Sequence, residues 1–208
     1  MPKTKKGKLI IITGASGSGK TVIANELLKL KPNLKKIVTE TNRPPRPGEI
    51  HGIDYHFRTT EEFHSLKESG YYAEINEYRP GEFKGTATSH FERILKGESF
   101  VWLVDQVRAT DFHTKLNLDK KTLSEIKSRT TTILIKVSNP ETIKTRYQDR
   151  ELNANLEVFE ERLKRDLEEQ NQLESFFDHI VNNDGSIQEA VSQIKKAISK
   201  RKNKKAVK

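Results

Sequence analysis

The chain has 208 residues, of which 33% are hydrophobic, and a formal net charge of +9. This length allows one domain with a well-buried core, or a core that carries small inserted segments. No apolar run approaches the roughly 20 residues that span a bilayer, and the basic N-terminus lacks the apolar stretch of a secretory signal. Cysteine is absent, which excludes disulfides and a Cys-ligated zinc site and fits the cytoplasmic location that we expect.

The positive charge is concentrated at the two ends of the chain. Residues 1–8 and 195–208 contribute twelve Lys or Arg and no acid, and the rest of the chain has 26 basic against 29 acidic residues. We interpret residues 1–8 and 201–208 as basic tails, which are typically solvated and disordered. The alternative is a weak, salt-sensitive contact between these tails and nucleic acid.

Short apolar runs rich in β-branched residues predict buried strands at residues 8–13, 100–104, 131–137 and 179–181. Apolar residues at helical spacing follow the first strand as far as Pro32 and recur over residues 186–199. Strands that alternate with helices predict an α/β fold with a parallel sheet.

Two stretches interrupt this alternation. Residues 40–90 show no long helical pattern, and residues 146–166 are mostly charged. We interpret both as segments inserted at the carboxyl edge of the sheet, where open α/β sheets bind ligands. The core then consists of residues 9–39, 91–145 and 167–200.

The turn between the first strand and its helix matches the phosphate-binding pattern G-x-x-x-x-G-K-[ST]. It reads Gly14-Ala15-Ser16-Gly17-Ser18-Gly19-Lys20-Thr21. Glycine backbone angles let successive N–H groups point at phosphate oxygens, and the positive end of the helix faces the same place. Lys20 would add a charge at the β- and γ-phosphates, and the Thr21 hydroxyl would reach Mg²⁺. The motif predicts a phosphotransferase of the three-layer P-loop fold that binds ATP with Mg²⁺.

Asp105 comes directly after the strand predicted at residues 100–104. P-loop folds place an acid at this point that faces the Mg²⁺ ion or its waters. The alternative is an aspartate that caps a helix or a turn.

The segment TNRPPRPGEIHGIDYHF, residues 41–57, resembles the guanylate kinase signature T-x-R-x-x-R-x-G-E-x-x-G-x-D-Y-x-F. Together with the phosphate loop, the resemblance covers roughly residues 9–200. It implies that ATP phosphorylates GMP to GDP, that residues 40–90 bind the acceptor and that residues 146–166 form a lid. The matched positions are Thr41, Arg43, Arg46, Gly48, Glu49, Gly52, Asp54, Tyr55 and Phe57.

Two arginines three residues apart on a Pro-stiffened segment can grip one dianionic phosphate with their planar forks. A tyrosine phenol can donate a hydrogen bond to the same phosphate. The resemblance implies that Arg43, Arg46 and Tyr55 hold the GMP phosphate and that Thr39 and Glu74 recognise guanine. A carboxylate accepts from guanine N1–H and the 2-amino group, which adenine does not offer. Further residues implied at the GMP site are Lys84, Thr86 and Asp105.

The charged segment also resembles the family. Arg146, Arg150 and Arg162 look like lid arginines that neutralise the transferring phosphoryl group, although a charged helix face is commonly just solvated. Asn183 resembles a residue of the adenine pocket and could equally belong to a turn. The catalytic residues implied are Lys20, Arg43, Arg150 and Arg162.

The sequence departs from the family at Phe83-Lys84-Gly85-Thr86, where Tyr-Tyr-Gly-Ser/Thr is usual. About one extra residue precedes this point after Glu74, and Leu103 stands where the family has an acid. These departures leave open a P-loop kinase of another acceptor, either a different nucleoside monophosphate or a ribose bisphosphate. A non-catalytic guanylate-kinase-like interaction module is the remaining alternative, although such modules lack an intact phosphate loop. The protein is expected to be a monomer or a homodimer.

Overall fold

The computed structural model describes residues 6–149 and 156–199, together with the helical backbone of residue 150. The strands are β1 (Leu9–Gly14), β2 (Leu34–Lys36), β3 (Glu40–Thr41), β4 (His56–Phe57), β5 (Tyr72–Arg79), β6 (Glu82–Ala87), β7 (Ser99–Leu103), β8 (Thr130–Lys136) and β9 (His179–Asn182). The helices are α1 (Lys20–Leu30), α2 (Thr60–Glu68), α3 (Thr88–Leu95), α4 (Gln106–Lys115), α5 (Lys120–Arg129), α6 (Pro140–Arg150), α7 (Leu156–Leu173) and α8 (Ile187–Ser199). A 3₁₀ turn at Glu174–Phe176 follows α7.

The strands form two sheets. A five-stranded parallel sheet has the order β2-β7-β1-β8-β9, and a four-stranded sheet has the order β4-β3-β6-β5. In the smaller sheet, β3 runs parallel to β4 but antiparallel to β6, and β5 is antiparallel to β6. The predicted α/β fold with a parallel sheet is confirmed.

The chain divides into two compact units. The first contains residues 6–9, 32–102 and 111–130, and the second contains residues 10–31, 103–110 and the described residues from 131 to 199. The four-stranded sheet belongs entirely to the first unit. Predicted boundaries for the core, the acceptor segment and the lid stay predictions. Of the predicted tails at residues 1–8 and 201–208, residues 1–5 and 201–208 lie outside the described residues, whereas the Lys8 carbonyl accepts the Phe100 N–H at 2.8 Å.

Aromatic packing stabilises the first unit. Phe63 of α2 stacks against Tyr72 and Phe83, with ring centroids 4.8 and 5.7 Å away. Phe91 meets Trp102 edge to face at 5.6 Å. All but Phe83 are buried, and burial of such large rings contributes much of the stability of a small core.

The second unit is built on β1, whose six residues are all buried. One of its apolar clusters joins α6 and α7, and Tyr147 stacks on Phe159 with ring centroids 3.7 Å apart. The cluster also includes Ala15 of the phosphate loop, so the loop is anchored to these helices. Its other members are Val137, Ile143, Leu163 and Leu167.

The strands predicted from apolar runs lie within one residue of β1, β7, β8 and β9. Apolar periodicity does not reveal α2, because Phe63 is the only residue of this helix that is buried. Its N-terminus is defined instead by a capping box, in which Thr59 and Glu62 each accept the other's backbone N–H.

Within the described residues, every helix is too short or too polar to cross a bilayer.

Candidate active site

The phosphate loop, residues 14–21, joins β1 to the first turn of α1. Gly17 and Gly19 have left-handed backbone angles, with φ of +83° and +93°. A Cβ on Gly17 would lie 2.7 Å from Ile143 Cγ2, and one on Gly19 would lie 2.5 Å from Asn183 Nδ2. Both positions therefore need glycine for backbone angle and for space.

Lys20 folds back along the loop to which it belongs. Its Nζ donates hydrogen bonds to the carbonyl oxygens of Gly14 at 2.6 Å and Ala15 at 2.8 Å. The ammonium group thus lies at the start of the loop, beside the N–H groups that are expected to bind phosphate. The structure therefore brings the predicted charge and the predicted N–H donors together.

Asn183 supports the loop from the protein interior. Its side chain is 1% exposed, and Nδ2 donates to the Ser18 carbonyl at 2.8 Å. The Asn183 carbonyl accepts from Arg146 Nη2 at 3.1 Å. The side chains of Asn183 and Arg146 thus each bond to a backbone carbonyl of the second unit. Arg146 has this structural contact in addition to the lid role predicted from the sequence.

A carboxylate from α7 contacts the phosphate loop. Asp166 Oδ2 accepts the Ser16 N–H at 2.7 Å, and the Asp166 carbonyl accepts from Gln106 Nε2 at 2.7 Å. Burial raises the pKa of nearby Glu169, and the charges of Asp166 and Asp105 raise it further. One N–H of an anion-binding loop is thus bonded to the chain's own carboxylate.

The predicted magnesium residues, Thr21 and Asp105, both lie exposed in the second unit. Thr13 Oγ1 donates to the Val104 carbonyl at 2.8 Å, which holds the segment before Asp105 beside the end of β1. Asp105 Oδ1 caps α4 by accepting the Arg108 N–H at 2.7 Å, so the capping alternative is realised. A hydroxyl and a carboxylate are the oxygen ligands that suit Mg²⁺, and the donor set fits the ion.

The predicted lid arginines belong to the two helices α6 and α7. Arg162 is exposed on α7, where its guanidinium can reach a ligand without breaking a buried contact. The Arg150 side chain lies outside the described residues, as does the connection at residues 151–155. Its predicted role stays a prediction.

Arg43 is the most buried cation of the predicted acceptor site, with 7% of its side chain exposed. Its Nη1 and Nη2 donate to Glu49 at 2.7 and 2.6 Å, and these bonds raise the pKa of Arg43. Burial opposes ionisation of Glu49, but the bonds from Arg43 and from the Arg46 N–H prevail and lower its pKa. The pair is therefore fully charged, and Arg46 itself is exposed next to it.

Two of the predicted phosphate ligands lie close to the aromatic ring of Tyr55. The Arg43 guanidinium carbon lies 5.0 Å from the ring centroid, and the Lys84 ammonium lies 5.1 Å from it. Lys84 also lies 4.7 Å from the ring centroid of Tyr78. Cations at these distances are attracted by the ring face, so Arg43, Tyr55 and Lys84 form one cluster.

Glu74 and Thr86 face each other across β5 and β6. Glu74 is 7% exposed, and its Oε1 accepts the Thr86 hydroxyl at 2.8 Å. Thr39 precedes β3, and its carbonyl accepts the His56 N–H at 2.9 Å. The first unit thus carries all the predicted acceptor residues except Asp105, which belongs to the second unit.

Four residues of these sites were missed as functional candidates by sequence reasoning. Glu49 belongs to the matched signature, yet nothing in the pattern shows that it pairs with Arg43. Tyr78 is signalled only by the extra residue after Glu74. Asp166 and Gln106 give no sequence signal, because one carboxylate in a charged helix and one amide after a strand are ordinary.

Comparison with known proteins places the chain among its relatives. A sequence model described as "Guanylate kinase" matches residues 6–201. A guanylate kinase of Wolbachia sp. subsp. Brugia malayi is 32% identical over 99% of this chain and 99% of its own length. One from Synechococcus sp. is 28% identical over 93% of this chain and 82% of its own length.

A solved structure shows the same fold. The crystal structure of guanylate kinase from Anaplasma phagocytophilum superposes with a TM-score of 0.67 at 25% identity. The superposition covers 95% of this chain and 86% of that one.

Proposed function

Because the chain belongs to the guanylate kinase family, we propose that its second unit binds ATP and its first unit binds GMP, and that the protein catalyses ATP + GMP → ADP + GDP. The observation that carries the proposal is the buried Glu74 in the unit that also holds Arg43 and Lys84. The Glu74 carboxylate also accepts the Thr86 hydroxyl, and a carboxylate can accept from guanine N1–H and the 2-amino group, which lie side by side.

In the ATP half-site, N–H groups of residues 14–21 bind the phosphates and the Lys20 ammonium neutralises the β- and γ-phosphates. Asn183 acts through the loop that it supports at the Ser18 carbonyl. Thr21, with Asp105 through a water, would hold Mg²⁺, which supplies charge neutralisation at the triphosphate.

In the GMP half-site, Arg43, Arg46, Tyr55 and Lys84 bind the dianionic phosphate. Glu49 fixes the Arg43 guanidinium with two bonds, so little side-chain entropy remains to be lost when the phosphate binds. Guanine is recognised by Glu74 with Thr86 and Thr39, and Asp105 is assigned a further GMP contact.

The reaction forms a bond between a GMP phosphate oxygen and the γ-phosphorus and breaks the bond from that phosphorus to the β,γ-bridging oxygen. Positioning and charge neutralisation do most of this work, because phosphoryl transfer needs little covalent help from the protein. Arg150 and Arg162 are assigned to the charge on the transferring group, with Lys20 and Arg43.

No observation in the described residues favours the other acceptors or the non-catalytic module, and the intact phosphate loop opposes the module. Nucleic-acid binding by the basic tails stays a prediction, because most of those residues lie outside the described ones.

The test is a coupled ADP-release assay of the purified protein with MgATP and a panel of acceptors. The panel contains GMP, dGMP, AMP, CMP, UMP and ribose bisphosphate. GMP should give the highest kcat/KM; a faster reaction with ribose bisphosphate or another monophosphate would overturn the assignment of GMP and leave a P-loop kinase.

A further inference from the structure

Tyr78 lies in a β-bulge of the acceptor unit. Along β5 and β6, Glu77 pairs with Phe83 and Arg79 pairs with Glu82, so Tyr78 is the additional residue on its strand. Bulges of this kind reorient a side chain and are common beside active sites. The extra residue that distinguishes this chain from the family pattern therefore has a structural counterpart at Tyr78.

The contact with Lys84 places the Tyr78 ring on the face that carries the proposed GMP residues. Glu74 pairs with Thr86 and Asn76 pairs with Lys84 across the two strands, and Tyr78 follows Asn76 by two residues. Diagonal neighbours on one face of a sheet are within reach of aromatic and long side chains. The 4.7 Å separation between the Lys84 ammonium and the Tyr78 ring centroid is such a contact.

Among the described residues, no carboxylate oxygen lies within 4.0 Å of the Lys84 ammonium. No ion pair with those residues therefore neutralises its charge. The adjacent Arg43, by contrast, is paired with Glu49 through two bonds. The ammonium instead lies near the ring faces of Tyr55 and Tyr78. Aromatic rings hold a cation without neutralising it, which leaves its charge available to an anion.

We infer that Tyr78 is a positioning residue that holds the Lys84 ammonium over the ring of Tyr55, which Arg43 also contacts, and that Lys84 binds the acceptor phosphate there. The inference rests on the proposed function, because it names how this chain builds the phosphate site of the same acceptor. Tyr78 acts through its ring: it limits the rotamers of a long lysine that would otherwise lose more side-chain entropy on binding.

The test is a double-mutant cycle with Tyr78→Leu, Lys84→Met and the double variant, measured as KM for GMP, KM for ATP and kcat. Tyr78→Leu should raise the KM for GMP about fivefold to tenfold, as expected when a partly buried cation–π contact is lost. The KM for ATP should not change. In the Lys84→Met background, Tyr78→Leu should add nothing, because the cation that it positions is gone.

Tyr78→Phe supplies the rescue, since it keeps the ring and removes the hydroxyl, and it should retain the wild-type KM for GMP. Thermal melting of each variant checks folding, and Tyr78→Val replaces Tyr78→Leu if the latter is unfolded. The inference is overturned if Tyr78→Leu leaves the KM for GMP unchanged, if its effect is equal in both backgrounds, or if Tyr78→Phe behaves like Tyr78→Leu. Absence of GMP turnover by the wild type in the same series contradicts the proposed function instead.

Discussion

At the scale of single residues, Lys20 has the most direct role, because its ammonium lies against the loop that is expected to hold the triphosphate. Lys20→Ala should lower kcat by roughly 10²–10³-fold, the usual cost of removing one preorganised charge-stabilising donor. Melting temperature should change little, since the side chain packs no core. The matched control is Lys29→Ala, an exposed lysine of the same helix, and equal activity of the two variants in the ADP-release assay would contradict the assignment.

His90 gives the fold a dependence on pH. Its ring packs edge-on against Phe100, and its Nδ1 is buried without a hydrogen-bond partner among the described residues. Burial lowers the pKa of His90 below 6.5, and the charges of Arg93 and His56 lower it further. The unfolded chain therefore binds this proton more readily than the folded protein.

The free energy of unfolding should then fall as the pH drops from about 6.5 toward the lower folded pKa, by at most about 1.4 kcal/mol per pH unit from this group. Urea unfolding followed by circular dichroism at a series of pH values measures the slope. His90→Gln, which gains no proton in this range, should give a flatter profile. If the wild type and His90→Gln lose the same unfolding free energy as the pH falls, groups other than His90 dominate the pH dependence.

Residues within one contiguous motif could be located from the sequence, whereas contacts between residues distant in the chain could not. The glycines, Lys20 and Thr21 form one contiguous motif whose geometry follows from the backbone. The pairing of Arg43 with Glu49 also lies within one signature, but only folding shows that the carboxylate fixes the guanidinium. Asp166 reaches Ser16 from 150 residues away, and no local pattern encodes such a contact.

At the scale of elements, the strands β1, β7, β8 and β9 could be predicted to within one residue, because continuous β-branched runs have few alternatives. Helix α2 and the bulge in β5 could not. The helix has one buried residue and depends on its cap, and a bulge is one additional residue whose position only strand pairing reveals. The structure of the polar segments around the acceptor site could therefore not be predicted from the sequence.

The contact between α7 and the phosphate loop predicts a gain of ATP affinity by mutation. Asp166→Ala removes a carboxylate that accepts the Ser16 N–H and repels a triphosphate, so the KM for ATP should fall about fivefold, the equivalent of one hydrogen bond of about 1 kcal/mol. Asp166→Asn keeps an acceptor but no charge, and its KM for ATP should lie between those of the wild type and Asp166→Ala. Glu168→Ala on the same helix is the exposed control, and a rise in the KM for ATP on Asp166→Ala would contradict this account.

At the scale of the whole molecule, affinity for two anionic substrates has to be local. Apart from its basic ends, the chain has 26 basic and 29 acidic residues, so the net charge between those ends does not attract nucleotides. The first unit concentrates Arg43, Arg46 and Lys84 near one another in its acceptor site, while the second offers Lys20 and the N–H groups of its loop. Most contacts with each substrate are thus assigned to one unit, and acceptor choice depends on the first.

The central claim is that the first unit selects guanine through Glu74, and the ratio of kcat/KM for GMP to that for AMP tests it most directly. AMP offers neither an N1–H nor a 2-amino donor to this carboxylate, so the wild-type ratio should reach roughly 10⁴. Glu74→Gln should lower the ratio by at least about a hundredfold, while Glu77→Gln, an exposed carboxylate of the same strand, should preserve it. A wild type that uses AMP as well as GMP, or a ratio that Glu74→Gln leaves intact, would contradict the account.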